Sequence, residues 1–433
     1  MGGKTLPREE AVLKNKLRAV KRRTSGLFND VALLLRRVSL GREHYRFVDE
    51  TRVTVLGVPG LHTFFGYYDI SPFHADGTRL LACRVSAGSG TTPKRTPLQL
   101  GYYTLARTQQ FFALATTDTW CWQQGARLQW APCFGTEAVL FNRLSPEKLG
   151  ADALVCLAGT GGHVSRYVRP VYSLHGQSGQ ALSLDFARLQ RLRPGYGYAV
   201  AVENTPHIDA PEDDGIYFMR GPEQNAELIF SIKQAALLEP TPSMRGAAHY
   251  FNHLFWSPSG GRFMVIHAWH NQASGKHTRI LTMAADGSQV RVLTFDDRAS
   301  HYWWLTDDSL LVYGTLRGVS CYFRVLDTLG AESEACPALP QEDGHPSLSP
   351  NGNWLLGDTL PDTLSERSLW LYDQKNAKIH PLGYLYSPVS LRGETRCDLH
   401  PRWSTDGTLA AVDSAHAGTR QMLIVDVRAL VGS

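Results

Sequence analysis

The chain has 433 residues, of which 43% are hydrophobic and 19% are charged, and its formal net charge is +4. This is the composition of an ordinary soluble globular protein, and no apolar stretch approaches the roughly eighteen residues of a membrane-spanning helix. The seven cysteines are odd in number and form no CxxC pair, which argues against a disulfide framework and predicts reduced thiols.

The first predicted element is a basic arm over residues 1–50. Residues 1–42 hold eleven Lys or Arg against three acidic residues, a local charge of +8, which leaves about −4 for the remainder. Apolar residues recur at helical spacing at Val12, Leu13, Leu17 and Val20, and again at Leu27, Val31, Leu34 and Leu35. The arm is therefore predicted to form basic amphipathic helices.

Two roles are open for this arm. It can be a solvated helix docked on the rest of the molecule, or it can make a peripheral contact with an anionic membrane surface. No base-reading or stacking motif supports nucleic acid as a partner. The apolar run at 32–35 is too short and too far along the chain for a signal peptide, so the predicted compartment is the cytoplasm.

From residue 51 onward the sequence repeats one unit. Each unit has a strand, a turn such as Ser257-Pro-Ser-Gly260, a strand rich in Leu, Val or Ile, and a hairpin, which predicts an all-β fold. The units lie at about 68–114, 125–190, 196–233, 250–295, 301–333, 345–383 and 400–431. Residues 51–433 are therefore predicted to form a single seven-bladed β-propeller, with Thr51–Leu56 completing the last blade.

Four histidines occupy the same position of this repeat. They are His253, His301, His345 and His400, spaced 48, 44 and 55 residues apart, and a turn residue follows each after seven places. Equivalent positions on successive blades are related by rotation about one axis, so these histidines are expected to ring the mouth of a central channel. A ring of imidazoles predicts a metal site, a polyanion site, or both.

The predicted cofactor is a divalent metal, with zinc favoured over manganese. Zinc suits imidazoles together with a thiolate, and Cys397 lies three residues before His400. Manganese would require more oxygen ligands. The competing interpretation is that a histidine at the start of an inner strand caps its blade by hydrogen bonding to a neighbour's backbone.

A second polar cluster lies between residues 120 and 198. Arginines and tyrosines are crowded there, and this combination suits an acidic sugar because a guanidinium binds a carboxylate bidentately. A tyrosine adds a hydrogen-bond donor and a flat face. The alternative is that these are edge-strand arginines with tyrosines packed between blades. The candidate substrate contacts are Gln123, Arg127, Asn142, Arg193 and Tyr196.

Taken together, the motifs resemble those of the seven-bladed propeller polysaccharide lyases, the ulvan lyases first and the oligogalacturonate lyases more distantly. The resemblance spans about residues 50–430 and leaves the basic arm outside. It rests on Gly66-Tyr-Tyr-Asp69, Gln123-Gln-Gly125, Leu182-Ser-Leu-Asp-Phe186, Arg193-Pro-Gly-Tyr-Gly-Tyr198, Asp343-Gly-His-Pro-Ser347 and Cys397-Asp-Leu-His-Pro-Arg-Trp403.

The resemblance implies cleavage of a uronate-containing glycan by β-elimination. This chemistry neutralises the substrate carboxylate, removes the neighbouring C5 proton and protonates the leaving oxygen. The resemblance places the proton-transferring tyrosine at Tyr172 and the carboxylate-neutralising arginine at Arg188. The family's two second-blade histidines are replaced here by Trp122 and Asn142, and His163 is a candidate substitute for the missing base.

Two functions follow from these observations. One is a carbon–oxygen lyase acting on an acidic polysaccharide, linked to surface-polysaccharide metabolism. The other is a non-catalytic glycan-binding propeller attached to a glycan-synthesis apparatus through the basic arm. A glycosyltransferase is disfavoured because the chain has no Rossmann-type fingerprint.

Overall fold

A computed structural model describes residues 30–41, 43–88, 96–106, 109–145, 150–328, 330 and 332–432. Residues 1–29, which contain most of the predicted basic arm, lie outside the described residues. The described chain forms seven antiparallel sheets, one for each blade of a seven-bladed β-propeller. The predicted fold class is confirmed.

The first four blades each have four strands. Blade 1 consists of Leu61–Phe64, Arg79–Ser86, Leu98–Thr104 and Phe111–Thr117. Blade 2 consists of Gln129–Trp130, Ala138–Leu144, Ala151–Leu157 and His163–Tyr167. Blade 3 consists of Ser173–Leu174, Ala181–Ser183, Gly215–Met219 and Glu227–Ser231. Blade 4 consists of Ala248–Trp256, Arg262–Asn271, Gly275–Ala284 and Arg291–Leu293.

Blade 5 also has four strands, Ala299–Trp304, Ser309–Leu316, Val319–Leu326 and Ser333–Ala335. The last two blades, 6 and 7, incorporate strands from the beginning of the chain. Blade 6 consists of Ser347–Leu348, Trp354–Asp358, Glu366–Asp373 and Lys378–Tyr386, with Tyr45–Phe47 added as a fifth strand. Blade 7 consists of Arg402–Trp403, Leu409–Ser414, Gln421–Asp426 and the N-terminal strand Val53–Leu56.

The ring is closed by pairing between the two ends of the propeller sequence. Val53–Leu56 runs antiparallel to Gln421–Asp426, with Val53 opposite Val425 and Leu56 opposite Met422. The structure thus confirms that the extended segment after residue 50 completes the last blade. Tyr45–Phe47, which the repeat pattern did not reveal, extends blade 6 by pairing with its outer strand.

The boundary between blades 2 and 3 differs from the prediction. The sequence divided them between residues 190 and 196, whereas blade 3 begins at Ser173–Leu174. The reason is an insertion within blade 3 that contains the helix Phe186–Leu192. Asp185 caps this helix by accepting hydrogen bonds from the backbone N–H groups of Ala187 and Arg188, so the chain leaves the sheet there.

In the described part of the chain, helices are few and lie outside the sheets. The described part of the arm is helical over residues 30–39. The other α-helices are Phe186–Leu192, Ile232–Leu237 and Arg428–Val431, and the 3-10 helices are Glu50–Arg52, Pro132–Phe134, Pro242–Met244 and Gly393–Thr395. Among the residues described, no helix has the length and apolar character needed to cross a bilayer.

Burial keeps several histidines of the blades neutral. Desolvation lowers the pKa of His62, His249 and His416 from 6.5 to about 4. His62 also uses its Nδ1 atom to accept the backbone N–H of Arg420 across the junction of blades 1 and 7. A proton on that nitrogen would remove the acceptor.

We expect the free energy of unfolding to fall as the pH is lowered from 6.5 towards 4. In that window the unfolded chain binds protons at these histidines while the folded chain does not, which costs up to about 1.4 kcal/mol per pH unit for each histidine. Urea unfolding at several pH values measures the slope. His62→Asn keeps a hydrogen-bond acceptor but has no titrating ring, so it should reduce the slope of the unfolding free energy against pH. A wild-type stability that does not change across the window would contradict this account.

Candidate functional site

A cavity of about 840 Å³ opens at the end of the channel where the innermost strands of blades 4 and 5 begin. Its walls carry cationic, acidic and aromatic side chains rather than a continuous apolar surface. The lining includes Arg193, Tyr196, Lys276, His301, Asp343 and Arg396. A cavity with this lining suits a polar, anionic ligand.

His301 is held in the cavity wall by a carboxylate. Its Nδ1 atom lies 2.7 Å from Oδ1 of Asp343, and the Ser300 hydroxyl donates to the other oxygen of the same carboxylate at 2.8 Å. Burial would raise the pKa of Asp343, but the His301 imidazole and these hydrogen bonds lower it overall. The ionised Asp343 therefore orients the imidazole, and Nε2 has no hydrogen-bond partner among the described residues. This is an arrangement suited to a general base.

Behind this pair lies a buried cluster of His345, Asp398 and His400. One ligand atom from each of the three lies within 4.8 Å of the others. The rings of His301 and His345 are 4.1 Å apart, and those of His345 and His400 are 4.4 Å apart. Nε2 of His400 lies 3.9 Å from an oxygen of Asp398. Three of the four predicted ring histidines therefore come together.

The outer nitrogens of the two cluster histidines are already bonded. Nδ1 of His345 lies 2.8 Å from the Asp358 carboxylate, and Nδ1 of His400 lies 2.9 Å from the carbonyl oxygen of Gly66. Nε2 of His400 is buried and has no hydrogen-bond partner among the described residues. Metal-binding histidines characteristically donate their second N–H to a carboxylate or carbonyl in this way. The donor set therefore fits a divalent cation.

Backbone conformation also distinguishes this end of the channel. His253 and His400 have φ angles of 57° and 46°, in the left-handed region that residues other than glycine rarely adopt. Gly66 has a φ of 143°, and a Cβ there would come within 2.9 Å of the Gln124 backbone. Only glycine can place its carbonyl against His400 at this position.

Two arginines hold the carboxylate of the cluster. Arg367 donates to one oxygen of Asp398 at 2.6 Å, and Nε of Arg396 donates to the other at 2.9 Å. Burial opposes ionisation, but Arg396, Arg367 and the two histidines hold the pKa of Asp398 well below its usual range. Arg396 also donates to the Tyr196 hydroxyl at 2.6 Å. Asp398 is therefore a fixed anion.

Lys276 stands at the rim of the same cavity. The residue is exposed, yet desolvation and the nearby Arg193 and Arg396 guanidinium groups lower its pKa from 10.5 to about 7. An ammonium group in this environment can exchange a proton near neutral pH. Arg193 lies on the same wall, with its guanidinium 4.9 Å from the centre of the Tyr196 ring.

His253 and Cys397 stay apart from the cluster. The two ring nitrogens of His253 lie 3.3 and 3.2 Å from the hydroxyls of Tyr67 and Tyr172, so tyrosines occupy both. Burial raises the pKa of the Cys397 thiol to about 12, and the sulfur lies 3.9 Å from the carbonyl oxygen of Asp398. The thiolate expected to favour zinc is not part of the described cluster.

The structure separates the residues predicted to carry catalysis. Tyr172 is fully buried and bonded to Asn252 at 3.0 Å, and burial raises its pKa well above the ordinary value. Arg188 is buried too, and it bonds Asp214 and the carbonyl oxygens of His249, Thr205 and Ile208. His163 is exposed on the outermost strand of blade 2. None of the three lines the cavity.

The predicted substrate contacts divide into two groups. Arg193 and Tyr196 line the cavity, whereas Gln123, Arg127 and Asn142 are buried and bonded within the protein. Gln123 supports the loop that carries Arg396 by donating to its carbonyl oxygen at 2.8 Å. Arg127 pairs with Asp69, and Asn142 bonds the Val171 backbone and the Tyr198 hydroxyl.

Sequence reasoning missed Asp343, Asp398 and Lys276. A signal for the two carboxylates was present, because each lies two residues before a ring histidine in Asp343-Gly-His345 and Asp398-Leu-His400. Repetition of an aspartate at one repeat position points to the channel for the same reason as repetition of the histidines. Lys276 carries no such signal, since a hairpin lysine is ordinarily solvated.

The fold and this site define a seven-bladed β-propeller with a histidine–carboxylate cluster at one end of its channel. No protein-family model matches the sequence, and no curated protein matches it either. Among solved structures, an oligogalacturonate lyase in complex with manganese aligns with a TM-score of 0.57 and 15% identity, over 87% of this chain and 93% of that one. The oligogalacturonate lyase from Vibrio parahaemolyticus aligns with a TM-score of 0.55 and 15% identity, over 88% and 96%. This similarity establishes the propeller fold.

Replacement of Arg188 and Arg193 should separate a structural arginine from a cavity arginine. Arg188→Ala leaves the buried Asp214 and three backbone carbonyls without their donor, so we expect a loss of about 3–5 kcal/mol in the free energy of unfolding. Arg193→Ala removes mainly one cation–π contact and should cost less than about 1 kcal/mol. Urea unfolding measures both. Wild-type stability of the Arg188→Ala protein would contradict the structural role of this arginine and would favour a role in ligand binding.

Proposed function

We propose that this protein is a lyase that cleaves a uronate-containing oligosaccharide by β-elimination in the cavity at the channel mouth. The observation that carries the proposal is the Asp343–His301 pair, an oriented imidazole in a wall that also holds arginines. The motif resemblance to ulvan lyases and the fold similarity to oligogalacturonate lyases both support an acidic glycan as the substrate.

Arg193 and Arg396 are the proposed carboxylate-binding residues. Guanidinium groups neutralise a carboxylate well because their paired N–H donors match its two oxygens. Neutralisation makes the adjacent C5–H bond more acidic, since the negative charge that develops on proton removal is then stabilised. Arg396 is suited to this role because Asp398 and Tyr196 fix its position.

His301 is the proposed base, and Lys276 the proposed acid. Nε2 of His301 takes the C5 proton, the electron pair of that bond forms the C4–C5 double bond, and the bond from C4 to the leaving oxygen breaks. Asp343 stabilises the resulting imidazolium through Nδ1. Lys276, with its pKa near 7, then donates a proton to the leaving oxygen.

His345, His400 and Asp398 are the residues that would hold a divalent cation. The cluster offers two imidazoles and one carboxylate without sulfur, a set that can bind zinc or manganese, and we favour manganese over the zinc predicted from Cys397. The manganese present in the similar oligogalacturonate lyase supports this choice. A bound cation would supply positive charge beside the substrate carboxylate.

A non-catalytic glycan-binding protein is the second candidate. The observation that favours it is the burial of Tyr172 and Arg188, which the resemblance had placed in catalysis. The same cavity arginines would then bind an acidic glycan without cleaving it. Product formation distinguishes the two candidates, because β-elimination leaves an unsaturated uronate with strong ultraviolet absorbance.

Substitution of His301 tests the lyase proposal. With an acidic oligosaccharide that the wild-type protein cleaves, His301→Asn should lower kcat by about 10²–10⁴-fold because it removes the proton acceptor. Glycan affinity measured by calorimetry should change little. His163→Asn, on an exposed strand of blade 2, is the matched control and should keep full activity. Affinity for acidic glycans without product from any of them would instead establish the binding protein.

Metal content tests the cluster. Protein purified without chelator should contain about one divalent ion per chain by elemental analysis, and His400→Ala should lose it together with part of the thermal stability. Cys397→Ser is the control and should keep the ion, since the sulfur stands outside the cluster. Loss of the ion from the Cys397→Ser protein would show that the sulfur is a metal ligand. Wild-type protein without metal would contradict the cation site.

A further inference from the structure

The helix over residues 30–39 is docked on blade 6 by its polar side. Arg37 is buried, and its guanidinium donates to the carbonyl oxygen of Leu364 at 2.8 Å and to the Glu366 carboxylate at 3.0 Å. The same group lies 4.3 Å from the centre of the Tyr386 ring. Asp30, two turns earlier, forms an ion pair with Arg392. These contacts fix the orientation of the helix.

A neighbouring side of this helix presents aliphatic side chains to solvent. Val31, Leu34, Leu35 and Val38 follow helical spacing, and their exposed fractions are 48%, 41%, 65% and 77%. An amphipathic helix on a globular protein ordinarily turns such a stripe towards the core. Tyr45 and Val48, which follow the helix, are exposed as well. Several large apolar side chains exposed on one helix mark an interaction site.

We propose that this surface docks on a bilayer containing anionic lipid, as at the cytoplasmic face of a membrane. The helix belongs to a stretch of sequence, residues 1–42, that carries a net charge of +8, while the remainder of the chain carries about −4. Arg36 on the helix and Arg46 on the strand that follows it are exposed as well. Aliphatic side chains flanked by arginines match the acyl boundary and the phosphate layer respectively.

The charge also disfavours a second copy of the chain as the occupant. A symmetric dimer through this helix would bring two segments of charge +8 together, and like charges oppose association. The anionic headgroups of a bilayer would instead neutralise the positive charge of each copy. The proposal is independent of catalysis, because this surface belongs to blade 6 and its helix rather than to the cavity.

Vesicle co-sedimentation of the full chain tests the proposal. The protein should sediment with vesicles of equal parts phosphatidylserine and phosphatidylcholine, more weakly in high salt and little with phosphatidylcholine alone. The double variant Leu35→Glu/Val38→Glu should bind at least about tenfold more weakly, since it places two charges on the aliphatic surface.

The matched control is Val202→Glu/Leu237→Glu. These residues are 73% and 70% exposed, so the control adds the same charge at equally exposed aliphatic positions outside the helix. It should bind vesicles like the wild-type protein, and circular dichroism should show both variants folded. Equal binding by the two variants, or no vesicle binding by the wild type, would overturn the proposal. So would a change in oligomeric state, in place of vesicle binding, on introducing Leu35→Glu/Val38→Glu.

Discussion

Closure of the ring is the constraint on which the other features depend. Pairing of Val53–Leu56 with Gln421–Asp426 holds blade 7 against blade 1. Asp413 of blade 7 reinforces the junction by accepting the backbone N–H groups of Phe65 and Gly66. Nδ1 of His400 bonds the carbonyl oxygen of Gly66, so closure of the ring also positions a member of the histidine–carboxylate cluster. Strand pairing far from the cavity and the geometry of the site are thus mechanically linked.

Buried carboxylates organise the channel mouth at an energetic cost. Asp358, Asp398 and Asp343 each lose most of their contact with water and are compensated by imidazoles, guanidinium groups or hydroxyls. Desolvation of such groups costs several kcal/mol and is offset only when the hydrogen bonds are complete. An array of this kind is a poor way to stabilise a fold, since apolar residues would serve as well. Its presence beside a cavity is more consistent with binding or catalysis.

The arginines show why residue type alone does not identify a site. Arg188 and Arg193 are five residues apart, yet Arg188 bonds an acid and three carbonyls of blades 3 and 4, whereas Arg193 lines the cavity. An arginine whose donors are occupied by the protein has none left for a ligand. Arg396 is intermediate, because Asp398 and Tyr196 hold it while it still faces the cavity.

The repeat in the sequence was enough to predict seven blades and the approach of three of its four histidines, His301, His345 and His400, because its units are related by rotation. The extended segment over residues 51–56 predicted the closing strand. The fifth strand of blade 6 and the helical insertion in blade 3 break the repeat, so periodicity could not locate them. Which polar residues are free depends on how the blades pack in three dimensions. Tyr172 and Arg188 are of the right residue types, but internal hydrogen bonds occupy them, whereas desolvation and the neighbouring Arg193 and Arg396 lower the pKa of Lys276. Burial and partner occupancy are properties of three-dimensional packing, and one-dimensional spacing does not encode them.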